Sequence, residues 1–84
     1  MKIFFVDYDL RGERDYQTLY DELNRLHGIR VLESLWSLKL NDNTDCEKLR
    51  DHLSQYMDND DGLIVSEINA YAWRNVDNSP HKFQ

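Results

Sequence analysis

Ile29-Arg30-Val31-Leu32-Glu33-Ser34-Leu35-Trp36-Ser37-Leu38-Lys39-Leu40 is extended throughout, and how it divides decides the fold. Twelve residues is long for a single strand. No Gly, Pro, Asn or Asp marks a hairpin turn inside it. Either it is one long bent strand, or two strands meet at a tight corner near Glu33-Ser34, and the two-strand reading is preferred. Trp36, Leu38 and Leu40 then share a buried face, with Ser37 and Lys39 opposite.

The flanking segments alternate in type. Upstream, Tyr16, Leu19, Tyr20, Leu23 and Leu26 recur at helical spacing and predict a helix over roughly 16–27. Asp15 is its candidate N-cap, Asp21, Glu22, Asn24 and Arg25 fall on its outer side, and Gly28 ends it by accepting a left-handed backbone. Downstream, Thr44-Asp45-Cys46-Glu47 matches a capping box, with Thr44 as the cap. That second helix runs to about Met57, with Leu49, Leu53, Tyr56 and Met57 on its core side, until Asp58-Asn59-Asp60-Asp61-Gly62 breaks it. Leu63–Ile68 is a further strand, and Tyr71 and Trp73 keep enough alternation to leave room for a short fifth one. Residues 2–10 form the first strand, apolar on both faces and therefore central.

Strand, helix, strand, strand, helix, strand is an α+β order: one antiparallel sheet with both helices on one face. The domain spans residues 1–74, and 75–84, with the only proline, is a C-terminal tail. A chain of 84 residues has room for one core and is marginal alone. The open sheet face is expected to pack on a second copy, so a homodimer is the expected state.

Composition narrows the function. No apolar run reaches membrane-spanning length, and the amino terminus lacks the pattern of a secretory signal. The single Cys46 excludes an internal disulfide framework and fits a reducing, cytoplasmic setting. A net charge of −6 works against a broad phosphate-binding surface. It leaves open a local basic patch, or a basic protein partner steered by charge. His27, His52 and His81 lack zinc spacing, Asp58, Asp60 and Asp61 are an incomplete calcium loop, and the Gly-rich basic octamer of an RNA-recognition module is absent.

Asp7 and Asp9 close the first strand on one face, at the rim of the sheet. Carboxylates at the end of a buried strand need a partner, and a hard cation such as Mg²⁺ or Mn²⁺ is one; simple solvation of a strand end is the other reading. Arg11, Arg14 and Arg30 are candidate phosphate contacts, because a guanidinium meets phosphate bidentately. Their alternative is pairing with nearby acids. Ser34 can hydrogen-bond a phosphate oxygen or serve only as a corner residue.

The apolar first strand ending in Tyr8-Asp9-Leu10, followed by Arg30-Val31-Leu32-Glu33-Ser34-Leu35-Trp36, resembles the CRISPR-associated protein 2 family and its small relatives, including a branch like virulence-associated protein D. The resemblance covers roughly residues 1–70. It implies a ferredoxin-like βαββαβ fold, a homodimer, and a metal site flanked by the first-strand aspartate of each subunit, here Asp9. It also implies binding of RNA or DNA, either as a metal-dependent endonuclease with Asp9 helped by Asp7, or as a non-catalytic scaffold. Asp7, where many relatives have an apolar residue, and the acidic total depart from the family. The alternative function is a non-enzymatic antitoxin or immunity-type protein that masks a basic toxin.

Overall fold

The computed structural model describes residues 1–12 and 16–83. The chain forms β1 (Lys2–Asp9), α1 (Gln17–Arg25), β2 (Ile29–Arg30), β3 (Leu35–Leu40), α2 (Cys46–Ser54) and β4 (Gly62–Ile68). The sheet order is β2-β3-β1-β4, with every neighbouring pair antiparallel. This is the expected α+β, ferredoxin-like layout. No helix among the described residues is long and apolar enough to cross a membrane.

The stretch from Ile29 to Leu40 does divide, into a two-residue β2 and a six-residue β3. Its corner has none of the usual turn residues because other bonds hold it. Val31 and Leu32 N–H groups donate to the Leu35 carbonyl at 2.9 and 3.1 Å, and Tyr8 N–H of β1 donates to the Ser34 carbonyl at 3.1 Å. The corner is thus fastened to the end of the central strand.

On β1, Phe4, Val6 and Tyr8 face the helices and are buried, while Ile3, Phe5, Asp7 and Asp9 face the other way. One core gathers Phe4, Val6 and Tyr8 with Leu19 and Leu23 of α1, Trp36 and Leu38 of β3, and Leu49 and Leu53 of α2. Both helices therefore cover the same sheet face.

Several local expectations shift. Glu22 is on the buried side of α1, only 6% exposed, although its sequence neighbours Asp21, Asn24 and Arg25 are outside. The residue in left-handed conformation after α1 is His27 (φ 59°), not Gly28. His27 N–H donates to Asn24 O and Gly28 N–H to Leu23 O, each at 2.9 Å, which closes the helix end. Gly28 is needed for space instead: a Cβ there would lie 2.6 Å from Leu38 Cδ2 and 2.9 Å from the Leu23 carbonyl oxygen. Gly28→Ala is accordingly expected to destabilise by about 1–3 kcal/mol, read as a lower urea midpoint at unchanged slope. A midpoint equal to wild type would show that β2 can move away from α1 freely.

The second helix starts one residue later than the capping box predicts. Asp45 is the N-cap, accepting from Lys48 N–H at 2.8 Å, while Thr44 bonds to Asn41 in the preceding turn. The expected cap Asp15 falls outside the described residues. Ser37, expected opposite the core, is fully buried, and its Oγ has no hydrogen-bond partner among the described residues.

Tyr71 and Trp73 add no strand. Tyr71 packs edge-on against Phe5 at 5.2 Å, and the Trp73 ring lies 5.0 Å from His81. Phe5 belongs to the open face, so the chain after β4 covers part of that face itself. The end of the chain then docks on the corner. Asp77 N–H donates to Val31 O at 2.9 Å, Asn78 Nδ2 donates to Arg30 O at 2.8 Å, and Pro80 is buried.

Candidate functional site

The end of β1 carries two exposed carboxylates on the open face, and each is held differently. Asp7 Oδ1 accepts from Ser34 Oγ at 3.0 Å, which links β1 to the corner. Asp9 Oδ2 accepts from Arg11 Nε at 3.1 Å. Arg11 reaches further: its N–H donates to Asp61 Oδ1 at 2.8 Å and its Nη1 to the Asp60 carbonyl at 2.9 Å.

Asp61 is the post for this second attachment. Besides Arg11 it accepts from Tyr16 Oη at 2.9 Å and from Asp58 N–H at 2.8 Å. Burial, with Asp61 alongside, pushes the Tyr16 phenol above its usual range. Carboxylate oxygens of Asp58, Asp60 and Asp61 lie within 4.8 Å of one another. Within that group Asp61 ties the loop before β4 to Arg11 and to Tyr16 beside α1.

The corner supplies the opposite wall. Trp36 Nε1 donates to Tyr8 Oη at 3.0 Å, and Tyr8 Oη donates on to the Glu33 carbonyl at 3.3 Å. Burial raises the Tyr8 phenol, which keeps it protonated and able to donate. Arg30 Nε and Nη2 donate to the same carbonyl at 3.0 and 2.7 Å. Its guanidinium lies over the Tyr20 ring at 4.9 Å and beside Trp36 at 5.8 Å. Arg30 is thus held by a carbonyl and two rings, with no carboxylate partner among the described residues.

Between the end of β1 and the corner runs a groove of about 260 Å³, lined by Tyr8, Asp9 and Leu10, by Tyr20 of α1, and by Arg30, Glu33 and Ser34. The structure therefore brings together three of the predicted residues, Asp9, Arg30 and Ser34, from segments some twenty residues apart in sequence. Asp7 sits beside them through Ser34. Arg11 is drawn toward the Asp60–Asp61 loop instead, and Arg14 lies outside the described residues. Sequence reasoning missed Tyr20, whose helical spacing marked it as core alone. It is half-buried and carries Arg30 on its exposed side.

Tyr8-Asp9 and the run from Arg30 to Trp36 are therefore two sides of one bonded unit. A sequence model of the family described as CRISPR associated protein Cas2 matches residues 1–76. The chain belongs to the Cas2 family. The matched part of this Cas2 chain holds the whole sheet, both helices and the groove. Asp77 to Phe83, which dock on the β2 edge, lie beyond it.

A divalent cation of the kind the Cas2 resemblance implies fits what Asp9 offers. Mg²⁺ takes one or two carboxylates and retains several waters. The Asp9 side chain is 72% exposed, with Arg11 on only one of its oxygens. Asp7 likewise commits one oxygen, to Ser34. The donor set is hard oxygen throughout. Arg11 is its built-in competitor, because it already neutralises part of the Asp9 charge.

Proposed function

We propose that this Cas2-family chain acts as a homodimer that binds a polynucleotide across the groove beside Asp9, with Asp9 as the ligand for Mg²⁺ or Mn²⁺ and phosphodiester cleavage as the activity such a site serves. The observation that carries this reading is the convergence of Asp9, Ser34 and Arg30 on one groove. Arg30 is held in place by the Glu33 carbonyl and two aromatic rings, so little side-chain freedom is lost when it meets a phosphate. Ser34 lines the groove and donates its hydroxyl proton to Asp7, which fixes that carboxylate beside it. Tyr20 offers a ring edge to a base or sugar. A cation held by Asp9 supplies charge neutralisation for the phosphodiester and activation of a water.

The dimer reading draws on Ile64. It lies opposite Asp7 in register on the open face and is 66% exposed, on the part of that face near the carboxylates. An isologous contact there would bring Asp7 and Asp9 of two copies toward one another, where mutual repulsion favours a shared cation.

Melting curves of wild type and Asp9→Ala with and without MnCl₂ test the cation, and anisotropy with single-stranded RNA and DNA tests the groove. Mn²⁺ at about 100 times its dissociation constant is expected to stabilise wild type by about 2.7 kcal/mol, and Asp9→Ala to lose that gain. Arg30→Ala is expected to weaken oligonucleotide binding. An unchanged melting temperature in Mn²⁺ together with no binding at low salt would leave family and fold standing and remove this function.

A further inference from the structure

The chain carries 16 acidic and 10 basic side chains, and most of its described cations are paired off. Lys2, Arg11, Arg25, Lys48 and Arg50 each contact a carboxylate. Among the described residues, Arg30, Lys39, Arg74 and Lys82 do not. Two of these four, Arg30 and Lys82, line one groove of about 370 Å³ at the β2 edge. Asn24 from α1 and Asn78 and Ser79 from the C-terminal segment complete its polar lining, and Gly28, Ile29 and Trp36 also line it. The segment is not loosely placed. The Asn78 side chain is bonded to the Arg30 carbonyl and Pro80 is buried, so Lys82 is presented from an anchored turn.

Arg30 is common to this groove and to the one beside Asp9. The two form a track that enters at Asp9 and Ser34, passes Arg30, and leaves at Lys82. The geometry points to a second phosphate subsite, in which the C-terminal segment of this chain receives the backbone of a single-stranded nucleic acid past Arg30. It rests on the nucleic-acid reading above and extends it to Asn24, Asn78, Ser79 and Lys82. The last three lie beyond the family match. The donors suit a phosphate: one guanidinium, one ammonium, two amides and a hydroxyl, with no carboxylate in the lining. A single strand suits the two grooves better than a duplex, because cavities of about 260 and 370 Å³ are the size of small-ligand sites and do not seat a duplex.

The test uses the full chain, a fluorescent single-stranded 12-mer of RNA and of DNA, and a salt titration. Lys82→Glu is compared with Lys48→Glu, which makes the same charge change on α2, away from both grooves. Both residues are exposed, so melting temperatures should match wild type. Lys82→Glu is expected to weaken binding about fivefold or more beyond Lys48→Glu and to reduce the log–log salt slope by about 0.7. Wild-type binding with equal losses in the two variants would overturn the subsite and leave the groove beside Asp9 in place. No binding by wild type at low salt would overturn both.

Discussion

Glu22→Ala is expected to lower stability by about 1–2 kcal/mol, or about 5–15 °C in melting temperature for a domain of this size. Glu22 Oε1 and Oε2 accept from Arg25 at 2.7 and 2.6 Å, and Oε2 lies 2.5 Å from His52 Nε2. The carboxylate is nearly buried and joins α1 to α2, so removing it cuts that link, while the Arg25 and His52 side chains turn to water. The Arg25 guanidinium, and secondarily His52, hold the Glu22 carboxyl down from 4.5 to about 2. A depressed carboxyl stabilises the fold at pH above its unfolded value and loses that contribution as pH falls. The acid limb of wild-type stability should therefore extend between about pH 4.5 and pH 2, and Glu22→Gln should flatten it. Urea midpoints from pH 2 to 6 check this, and an identical acid limb in Glu22→Gln would place the titration elsewhere.

Phe4→Ala carries the larger penalty, about 3–5 kcal/mol. Phe4 is fully buried at the centre of β1, between β3 and β4 and under both helices. A domain of this length holds about 4–12 kcal/mol in total, so the variant is expected to lose between about a quarter and all of it. Phe5→Ala is the internal comparison. Phe5 is half-buried on the opposite face, against Tyr71, and should lose roughly half as much. Circular dichroism in urea separates the two, and equal midpoints would mean that the helix-covered face is no more important than the other.

Both effects bear on the site. The Asp9 groove is assembled from the end of β1, the corner after β2 and the exposed side of α1. Weakening the β1 core or the α1–α2 clamp should loosen Arg30 against Tyr20 before it unfolds the chain.

Element types were readable because each rests on local periodicity. The α1 stripe Tyr16, Leu19 and Leu23 is buried as its spacing requires, and the two-strand reading of Ile29 to Leu40 holds. Glu22 was not readable: its neighbours place it on the solvent side, and its second partner, His52 of α2, is thirty residues away. Gly28 was noticed for the wrong reason, since a close approach by Leu38 and Leu23 leaves no mark in the local sequence. At the site, Asp9, Arg30 and Ser34 were chosen for charge and position. Tyr20 and Lys82 were passed over because one looked like core and the other like tail.

The order of strands and helices and the acidic end of β1 follow from the sequence alone, because hydrophobic period and residue type act between near neighbours; which of the two apolar faces of β1 meets the helices does not. Which carboxylate meets Ser34 and which meets Arg11, where Arg30 is held, and how the last residues bring Lys82 to the β2 edge were decided by the tertiary structure. The Ser34–Asp7 bond, the Tyr8–Glu33 bond and the docking of the last residues span 25 to 48 residues of chain, and such contacts exist only once the sheet has brought the segments together.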